Sequence, residues 1–317
     1  MNQVLPYGVK QFRWAIGIMA FFLMIVPNSV NAKDLVRFGV LPVVDTLPLL
    51  VGQESGFFDK ENIKLELINF QSALERDAAL QAGRLDGYFG DILNTVLLIQ
   101  TGQPIKIITT AFHSHPDHRM FGVVAAPNAK IKTFSNLRKK PVAISRSTII
   151  EYLLDRMLQA RGLSADFVEK YDIKKIPIRL QMLLSDKVPA ALLPEPLLTL
   201  AESKGAKVLE DDRLINTCLT VLALDLKKAE QIPDLSIRFL RAYGQAVDEI
   251  NQHPESFKEL LIRRTRFPES IKDKYLIPVF PNVSVPSTKD IADAQKWLKA
   301  NGSIKSAIDY DRIVLKK

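Results

Sequence analysis

The sequence predicts an α/β protein of two lobes with helices at its C-terminal end. Apolar runs of strand length alternate with helix-like stretches from residue 36 onward, which is typical of mostly parallel α/β folds. A polar stretch at residues 113–118 separates two such sets, and the chain after residue 224 reads as helical. The 317 residues also suffice for roughly two domains. These observations favour two lobes over one large sheet.

The elements follow in order along the chain. Apolar runs rich in Val, Ile, Leu and Phe predict strands at residues 36–41, 63–70, 85–89, 105–112, 121–126, 141–145, 173–178, 190–193, 206–209 and 217–224. Stretches with helical spacing predict helices at residues 47–56, 73–82, 92–100, 149–161, 196–204, 237–251, 254–265, 269–276 and 289–300. No internal repeat is visible, which excludes a solenoid.

The composition excludes several classes of protein. There are 43 Lys and Arg against 35 Asp and Glu, a formal charge of +8, and 47% of residues are hydrophobic, so disorder is excluded. The basic pairs are short and separated, unlike a nucleic-acid surface. Cys218 is the only cysteine, which excludes intrachain disulfides and Cys-based zinc sites.

Residues 1–32 have the layout of a secretory signal peptide. Lys10 and Arg13 precede an uncharged apolar run at residues 14–26, and Val30 and Ala32 occupy the −3 and −1 positions of a small-residue cleavage site. An uncleaved anchor is the alternative, although the run is shorter than the roughly 20 residues that a membrane span needs. We therefore expect an exported protein, most simply a periplasmic one.

Several strand-to-helix junctions carry polar side chains that can cap the next helix. In open α/β sheets, ligands bind at the carboxyl ends of strands, where helix N-termini offer unpaired N–H groups. Capping alone is the alternative for any single junction. The candidate ligand-binding residues at these junctions are Asp45, Thr46, Ser72, Asp91, Ser145, Ser147 and Thr148.

Both halves of the chain resemble a known family. In the first half the matching phrases are LPLLVGQESGFF at residues 47–58 and AALQAGRLDG at residues 78–87; in the second they are KPVAIS at 140–145 and AALLPEPL at 190–197. They resemble the periplasmic substrate-binding proteins of ABC importers in the nitrate, sulfonate, taurine and thiamine-precursor (NMT1/THI5-like) class. The likeness covers roughly residues 35–225. The chain departs from the pattern at Pro189, where the family commonly has Asp.

This resemblance implies a bilobal type II periplasmic-binding-protein fold, with two α/β lobes joined by a two-segment hinge. The implied domains are a signal peptide at 1–32, the first part of lobe 1 at 33–112, lobe 2 at 113–215, and the completion of lobe 1 with C-terminal helices at 216–317. The implied function is capture of a small solute between the lobes and delivery to an ABC permease in the inner membrane. We expect a monomer with no cofactor, no nucleic-acid partner and no enzymatic activity.

Three further residues are predicted to contact the solute. Arg146 is the one strong cation at the junctions and could bind a carboxylate or sulfonate bidentately; the alternative points it to solvent or to Glu151. Glu195 lies between two prolines in the family's phrase, and its alternative role is a lobe-to-lobe salt bridge or a permease contact. His113, near the implied hinge, is a cleft contact or a structural residue.

The cluster of His113, His115, Asp117 and His118 resembles a zinc site in composition. Short extended loops seldom aim alternate side chains at one point, so we expect no metal there. The cluster is also the only candidate catalytic group for the alternative function, an enzyme on the same fold of the pyrimidine-precursor or menaquinone-pathway type.

The remaining features concern the solute. Phe89, Phe112 and Phe121 fall near predicted strand ends and either form an apolar wall or pack in the core. Asp45 and Asp91 have few cationic partners in sequence, which favours an organic solute with donor groups over a simple inorganic anion.

Overall fold

The structure is a computed structural model, and it describes residues 1–4, 8, 32–265 and 267–315. The chain divides into two units, residues 1–32 and 33–317. Nearly all of the predicted signal peptide lies outside the described residues. Among those residues, no helix is both long enough and apolar enough to span a membrane.

Five strands form the first sheet: β1 (Asp34–Val40), β2 (Ile63–Asn69), β3 (Gly87–Gly90), β4 (Ile105–His113) and β10 (Cys218–Asp225). Their spatial order is β2-β1-β3-β10-β4. Strand β1 is parallel to β2 and β3, with Val36 opposite Leu65. Strand β10 is antiparallel to both of its neighbours, β3 and β4.

Five other strands form the second sheet: β5 (Phe121–Ala125), β6 (Pro141–Ile144), β7 (Glu169–Asp172), β8 (Ala190–Pro194) and β9 (Lys207–Asp211). Their spatial order is β7-β6-β8-β5-β9. Strand β6 is parallel to β7 and β8, whereas β5 is antiparallel to β8 and β9. The two sheets make the two lobes.

The chain crosses between the lobes twice, after β4 and before β10. The two crossings lie side by side, because Ser114 N donates to Thr217 O at 3.0 Å and Thr217 N donates to Ser114 Oγ at 2.9 Å. Since β10 starts at the edge where β4 ends, it must run antiparallel to β4. The predicted bilobal α/β fold with a two-segment hinge is confirmed, although each sheet is mixed where a mostly parallel one was expected.

Helices cover the faces of both sheets. The residue bounds are α1 (Leu47–Glu54), α2 (Phe57–Lys60), α3 (Ala73–Gln81), α4 (Ile92–Gln100), α5 (Ile149–Ala160), α6 (Ile176–Leu184), α7 (Leu197–Ser203), α8 (Leu226–Gln231), α9 (Leu235–Gln252), α10 (Lys258–Thr265), α11 (Thr288–Ala300) and α12 (Tyr310–Ile313). The longest, α9, packs Phe239 against Phe38 and Phe58, with ring centroids 5.3 and 5.0 Å apart. Such aromatic burial dominates the stability of a core.

Two predicted elements are wrong. The expected strand at residues 173–178 is instead a short connection followed by helix α6, which begins at Ile176. Pro177 lies in the first turn of this helix, where its fixed φ and missing N–H are tolerated. The expected helix at residues 269–276 is reduced to one 3-10 turn, Glu269–Ile271.

Candidate functional site

A cavity of about 50 Å³ lies between the lobes, where strands of both sheets end. We call it the interlobe cavity. From lobe 1 its wall includes Leu41 and Gly90, at the ends of β1 and β3, and from lobe 2 it includes Ser145 and Pro194, at the ends of β6 and β8. This is the edge at which open α/β sheets bind ligands. The volume admits only a few water-sized groups, at about 10–15 Å³ each.

The lobes touch each other around this cavity. Ile176 N of lobe 2 donates to Gln71 O of lobe 1 at 3.1 Å, and Val44 N of lobe 1 donates to Glu195 O of lobe 2 at 3.3 Å. The structure therefore has the lobes closed over the cavity.

Asp91 is a cavity residue that joins the two lobes. Its Oδ1 accepts a hydrogen bond from Asn94 N at 2.8 Å and so caps α4. Its Oδ2 accepts from Ile149 N, the first residue of α5 in lobe 2, at 3.3 Å. Burial raises the pKa of Asp91 to about 6, because desolvation of the carboxylate outweighs these hydrogen bonds.

Asp45 lies in the 3-10 turn after β1 and also lines the cavity. Its Oδ2 accepts a hydrogen bond from Thr220 Oγ1 at 2.7 Å. Burial raises the pKa of Asp45 to about 7, and the charge of Asp212 adds to the rise, while the bond from Thr220 lowers it. The hydroxyl of Tyr243 is buried without a hydrogen-bond partner in the described part of the chain, and burial together with the charge of Asp45 raises its pKa.

Ser145 and Thr148 bring the N-terminus of α5 to the cavity wall. Thr148 Oγ1 accepts a hydrogen bond from Ile150 N at 3.2 Å and donates one to Ser145 O at 2.8 Å. Both bonds hold the loop and the helix cap, so the Thr148 hydroxyl has structural partners already.

Arg76 is a cavity residue that was not predicted from the sequence. It is buried on α3, with its guanidinium carbon 4.6 Å from the ring centroid of Tyr88. Its Nη1 donates to Phe89 O at 2.6 Å, and its Nη2 donates to Asp77 Oδ1 at 2.5 Å and to Asn94 Oδ1 at 3.3 Å. Its charge and its hydrogen-bonding groups are therefore largely compensated within lobe 1.

Arg179, on α6 of lobe 2, is the second cavity arginine that was missed. Its side chain is fully buried, and Nη1 donates to Ile173 O at 2.9 Å. Its Nε and Nη2 are buried and have no hydrogen-bond partner among the described residues. Burial lowers the pKa of Arg179 to about 10, and the charge of Asp172 opposes that shift. No carboxylate forms an ion pair with it in the part of the chain that the structure describes.

Each missed arginine had a sequence signal. Arg76 directly follows Glu75, the last residue of the predicted capping box Ser72-x-x-Glu75. Arg179 lies one turn after the start of α6, and Pro177 was the sign of a helix N-terminus. Because residues 173–178 were read as a strand, Arg179 fell outside every predicted junction.

Two of the predicted junction residues lie outside the cavity wall; Ser72 caps α3 through its side chain, whereas the side chain of Thr46 caps no helix. Thr46 Oγ1 donates to Val43 O at 2.7 Å, and Ser72 Oγ accepts from Glu75 N at 3.2 Å. Both are buried, and neither is among the residues that line the interlobe cavity.

Arg146 and Ser147 also lie outside the interlobe cavity. The Arg146 side chain is 51% exposed, its Nη2 donates to Lys170 O at 3.1 Å, and its Nη1 lies 3.6 Å from Glu151 Oε1. Ser147 is exposed, and its N donates to Glu151 Oε2 at 2.8 Å. Arg146 thus lies at the surface beside Glu151, which was the alternative interpretation of this residue.

Glu195 faces a different cavity, of about 250 Å³, which Arg119 and Tyr275 also line. Its Oε1 accepts from Arg119 Nε at 3.1 Å and from Thr199 Oγ1 at 2.9 Å. Burial raises the pKa of Glu195, and the charge of Arg119 opposes that rise. The backbone carbonyl of Glu195 accepts the hydrogen bond from Val44 N that joins the two lobes.

His113 ends β4 beside the hinge and does not line the interlobe cavity. Its Nδ1 lies 3.1 Å from Ser114 O, and its Nε2 lies 3.9 Å from Asp290 Oδ1. The rings of His115 and His118 are 5.6 Å apart. In the described ranges, no group of three or more His, Cys, Asp or Glu residues is arranged to hold a metal ion.

Apolar side chains complete the cavity wall. Phe89 and Phe121 line it, together with Val43 and Ile150, whereas Phe112 packs edge-on against Phe280 in the core, with ring centroids 5.6 Å apart. The cavity therefore combines an apolar wall with a small number of buried charged groups, as small-molecule sites do.

Comparisons with known proteins concern the family and the fold of this chain. The family model described as "NMT1/THI5 like" matches residues 44–257. A thiamine biosynthesis protein of Haemophilus influenzae is 24% identical over 52% of this chain and 50% of its own length. A protein named for binding aliphatic sulfonates, from Bacillus subtilis, is 27% identical over 67% of this chain and 65% of its own length. The chain thus spans between half and two thirds of these relatives.

Solved structures share the fold. The alkanesulfonate-binding protein of Xanthomonas axonopodis pv. citri, bound to MOPS, superposes with a TM-score of 0.74 at 14% identity, over 89% of this chain and 96% of that one. The desulfurization enzyme DSZB superposes with a TM-score of 0.65 at 16% identity, over 90% of this chain and 97% of that one. At such identities the likeness concerns the fold alone.

Proposed function

Because the chain belongs to the NMT1/THI5-like family, as its motifs predicted, we propose that it is the solute-binding component of an ABC uptake system. In this proposal the protein captures a small organic anion between its lobes and delivers it to a membrane permease. The signal-like sequence at residues 1–32 and the likeness to periplasmic binding proteins support a periplasmic location.

The proposal that the solute is an anion depends on the surroundings of Arg179. Its Nε and Nη2 lie on one edge of the guanidinium group and are buried without partners in the described part of the chain. That edge matches the two oxygens of a carboxylate or sulfonate, which it can bind bidentately. A buried cation without an ion-pair partner is unfavourable in the free protein, so an anionic solute would supply that partner. The sulfonate-binding function named for one relative supports the same class of solute.

The enzymatic alternative has less support. No His or Cys is among the residues that line the interlobe cavity, and Cys218 is buried in β10, where burial raises the pKa of its thiol. A nucleophilic thiolate is therefore disfavoured there. Asp45 could act as an acid or base, but solute capture needs no covalent step. A solute recovered chemically unchanged after incubation with the protein would agree with binding alone.

A thermal-shift screen tests the proposed function. The panel contains short alkanesulfonates, carboxylates, nitrate and sulfate, together with uncharged alcohols and amides of the same size. We expect an organic anion to raise the melting temperature by roughly 5–10 °C at a concentration of about 100 Kd, because it binds only the folded protein. Stabilisation by the uncharged compounds, with no effect of any anion, would contradict the proposal.

A further inference from the structure

The lobes also contact each other outside the interlobe cavity, where α5 of lobe 2 lies beside α11 of lobe 1. Trp297 Nε1 of α11 donates a hydrogen bond to Asp155 Oδ2 of α5 at 2.9 Å. The ring of Trp297 packs edge-on against that of Tyr152, with centroids 5.7 Å apart. Arg156 Nη1 of α5 lies 3.6 Å from Asp293 Oδ2 of α11. We call these interactions the α5–α11 contact, and none of its five residues lines the interlobe cavity.

Helix α11 is held firmly in lobe 1. It packs against α4, and its residues Ile291 and Leu298 are buried in the core. In its first turn, Asp290 Oδ1 accepts a hydrogen bond from Cys218 N, the first residue of β10, at 2.9 Å. A movement of α5 relative to α11 is therefore a movement of lobe 2 relative to lobe 1.

The carboxylate that Trp297 binds is held in place within lobe 2. Lys170 Nζ, on β7, donates to Asp155 Oδ2 at 2.8 Å and to Glu151 Oε1 at 3.1 Å. Glu151 Oε2 in turn accepts from Ser147 N at 2.8 Å, in the loop that precedes α5. These side chains fix the acceptor, so that the bond to Trp297 needs one particular position of α11.

Helix α5 couples the α5–α11 contact to closure of the lobes. At its first residue, Ile149 N donates to Asp91 Oδ2 of lobe 1. Asp155 follows in the same helix, about 9 Å further along the axis at roughly 1.5 Å per residue. Because one helix makes both bonds, the orientation that brings Ile149 to Asp91 also brings Asp155 to Trp297. Such a bond needs an N···O distance of roughly 2.7–3.2 Å, so it is lost when the lobes rotate apart.

We propose that the α5–α11 contact is a latch that stabilises the closed arrangement of the lobes from outside the solute site. In this view Trp297 and Asp155 determine how much of the free protein is closed, since both partners of their bond belong to the chain itself. A solute that is enclosed only by the closed lobes binds more weakly as the closed fraction falls. Its affinity then depends on residues that it does not touch. The inference goes beyond the proposed function, because it concerns the protein before any solute binds.

Distances between spin labels in the two lobes test the latch on the protein without a solute. Glu66→Cys on β2 and Gln181→Cys on α6 place labels at exposed positions of lobe 1 and lobe 2, and the native Cys218 is buried. Pulsed electron double resonance measures the populations of the closed distance, which this structure gives, and of longer, open distances. We expect a closed population in the labelled parent.

Two variants remove the bond from either side. Trp297→Phe keeps an aromatic ring beside Tyr152 but removes the N–H donor, and Asp155→Ala removes the acceptor. Each should lower the closed-to-open ratio by about 10-fold or more, the size of effect expected for a hydrogen bond to a charged group. Lys299→Ala removes an exposed side chain of the same helix α11 and should keep the ratio of the parent.

Melting temperatures recorded in parallel distinguish a latch from a purely structural bond. A lower melting temperature of Trp297→Phe and Asp155→Ala with unchanged distances would overturn the proposal, because the bond would then stabilise the fold without controlling the lobes. A parent with no closed population, or an equal shift in Lys299→Ala, would also overturn it. Since no solute is added, none of these outcomes depends on the proposed function, which the thermal-shift screen tests separately.

Discussion

Replacing Arg179 with methionine is expected to abolish binding of the anionic solute and to leave the unliganded protein at least as stable as the wild type. Loss of a buried charged partner typically costs 2–5 kcal/mol of binding free energy, so we expect affinity to fall by about 30-fold or more. Burial lowers the pKa of Arg179 to about 10. Since the folded-state pKa is depressed, the charged form destabilises the fold at every pH below that value, and methionine removes this cost.

The expected change in the free energy of unfolding of Arg179→Met can be estimated from two contributions. Burial lowers the pKa of Arg179 from the ordinary arginine value to about 10, which corresponds to about 3 kcal/mol at 1.36 kcal/mol per unit. Against this, methionine loses the hydrogen bond from the charged guanidinium to Ile173 O, and a hydrogen bond with a charged donor contributes about 1.5–3 kcal/mol. Urea denaturation at pH 7 measures the balance, and calorimetry measures the affinity.

Two other arginines of lobe 2 serve as controls. Arg161→Met removes an exposed side chain that pairs with Glu210 and should leave solute affinity unchanged. Arg146→Met removes the cation that the sequence predicts to bind the solute. Loss of binding in Arg146→Met with retention in Arg179→Met would contradict the assignment of the anion site.

Asp45→Asn is expected to stabilise the unliganded protein at pH 8 and to have almost no effect near pH 4. Burial raises the folded-state pKa of Asp45 from 3.8 to about 7. Between these values the unfolded chain releases the proton and the folded protein keeps it, so wild-type stability falls as the pH rises through this window. The asparagine variant lacks this loss, and its Oδ1 can still accept the hydrogen bond from Thr220.

The expected gain at pH 8 reaches about 4 kcal/mol, from roughly three pKa units at 1.36 kcal/mol each. Urea denaturation of both proteins at intervals from pH 4 to pH 8 measures the difference. Other buried carboxyls, such as Asp91, titrate in both proteins and cancel in it. Asp248→Asn, an exposed control, should show no such trend. A difference that stays constant with pH would show that Asp45 is not the titrating group.

Taken together, the two variants describe a site that costs stability in the free protein. Arg179 and Asp45 each destabilise the unliganded fold through the burial of their charges. Functional sites commonly carry such costs, and substitutions that remove them gain stability and lose function.

Much of the fold could be predicted from the sequence because the periodicity is local. Helix α4 begins and ends at the predicted residues, Ile92 and Gln100, since a capping Asp91 and a continuous apolar run define it. The direction of β10 was not predictable in this way, because it depends on where the chain re-enters the first sheet. The strand expected at 173–178 failed since three isoleucines resemble a strand, whereas Pro177 marks a helix start.

Fewer features of the candidate site than of the fold could be predicted from the sequence. Capping signals located the loops that form the cavity wall, and Asp45, Asp91, Ser145 and Thr148 do line it. They could not tell which side chains face the cavity, because a hydroxyl such as that of Thr46 can bond its own turn instead. Whether a buried charge has an ion-pair partner depends on which side chains surround it in three dimensions. The importance of Arg179 therefore appears only in the structure.

A crystal structure of the protein with the tightest-binding anion of the panel tests the central claim most directly. The anion should lie in the interlobe cavity with two oxygens within about 3.2 Å of Arg179 Nε and Nη2, the hydrogen-bond range. An anion bound elsewhere, for example beside Arg146 or in the cavity that Glu195 faces, with both of those Arg179 nitrogens uncontacted, would contradict it.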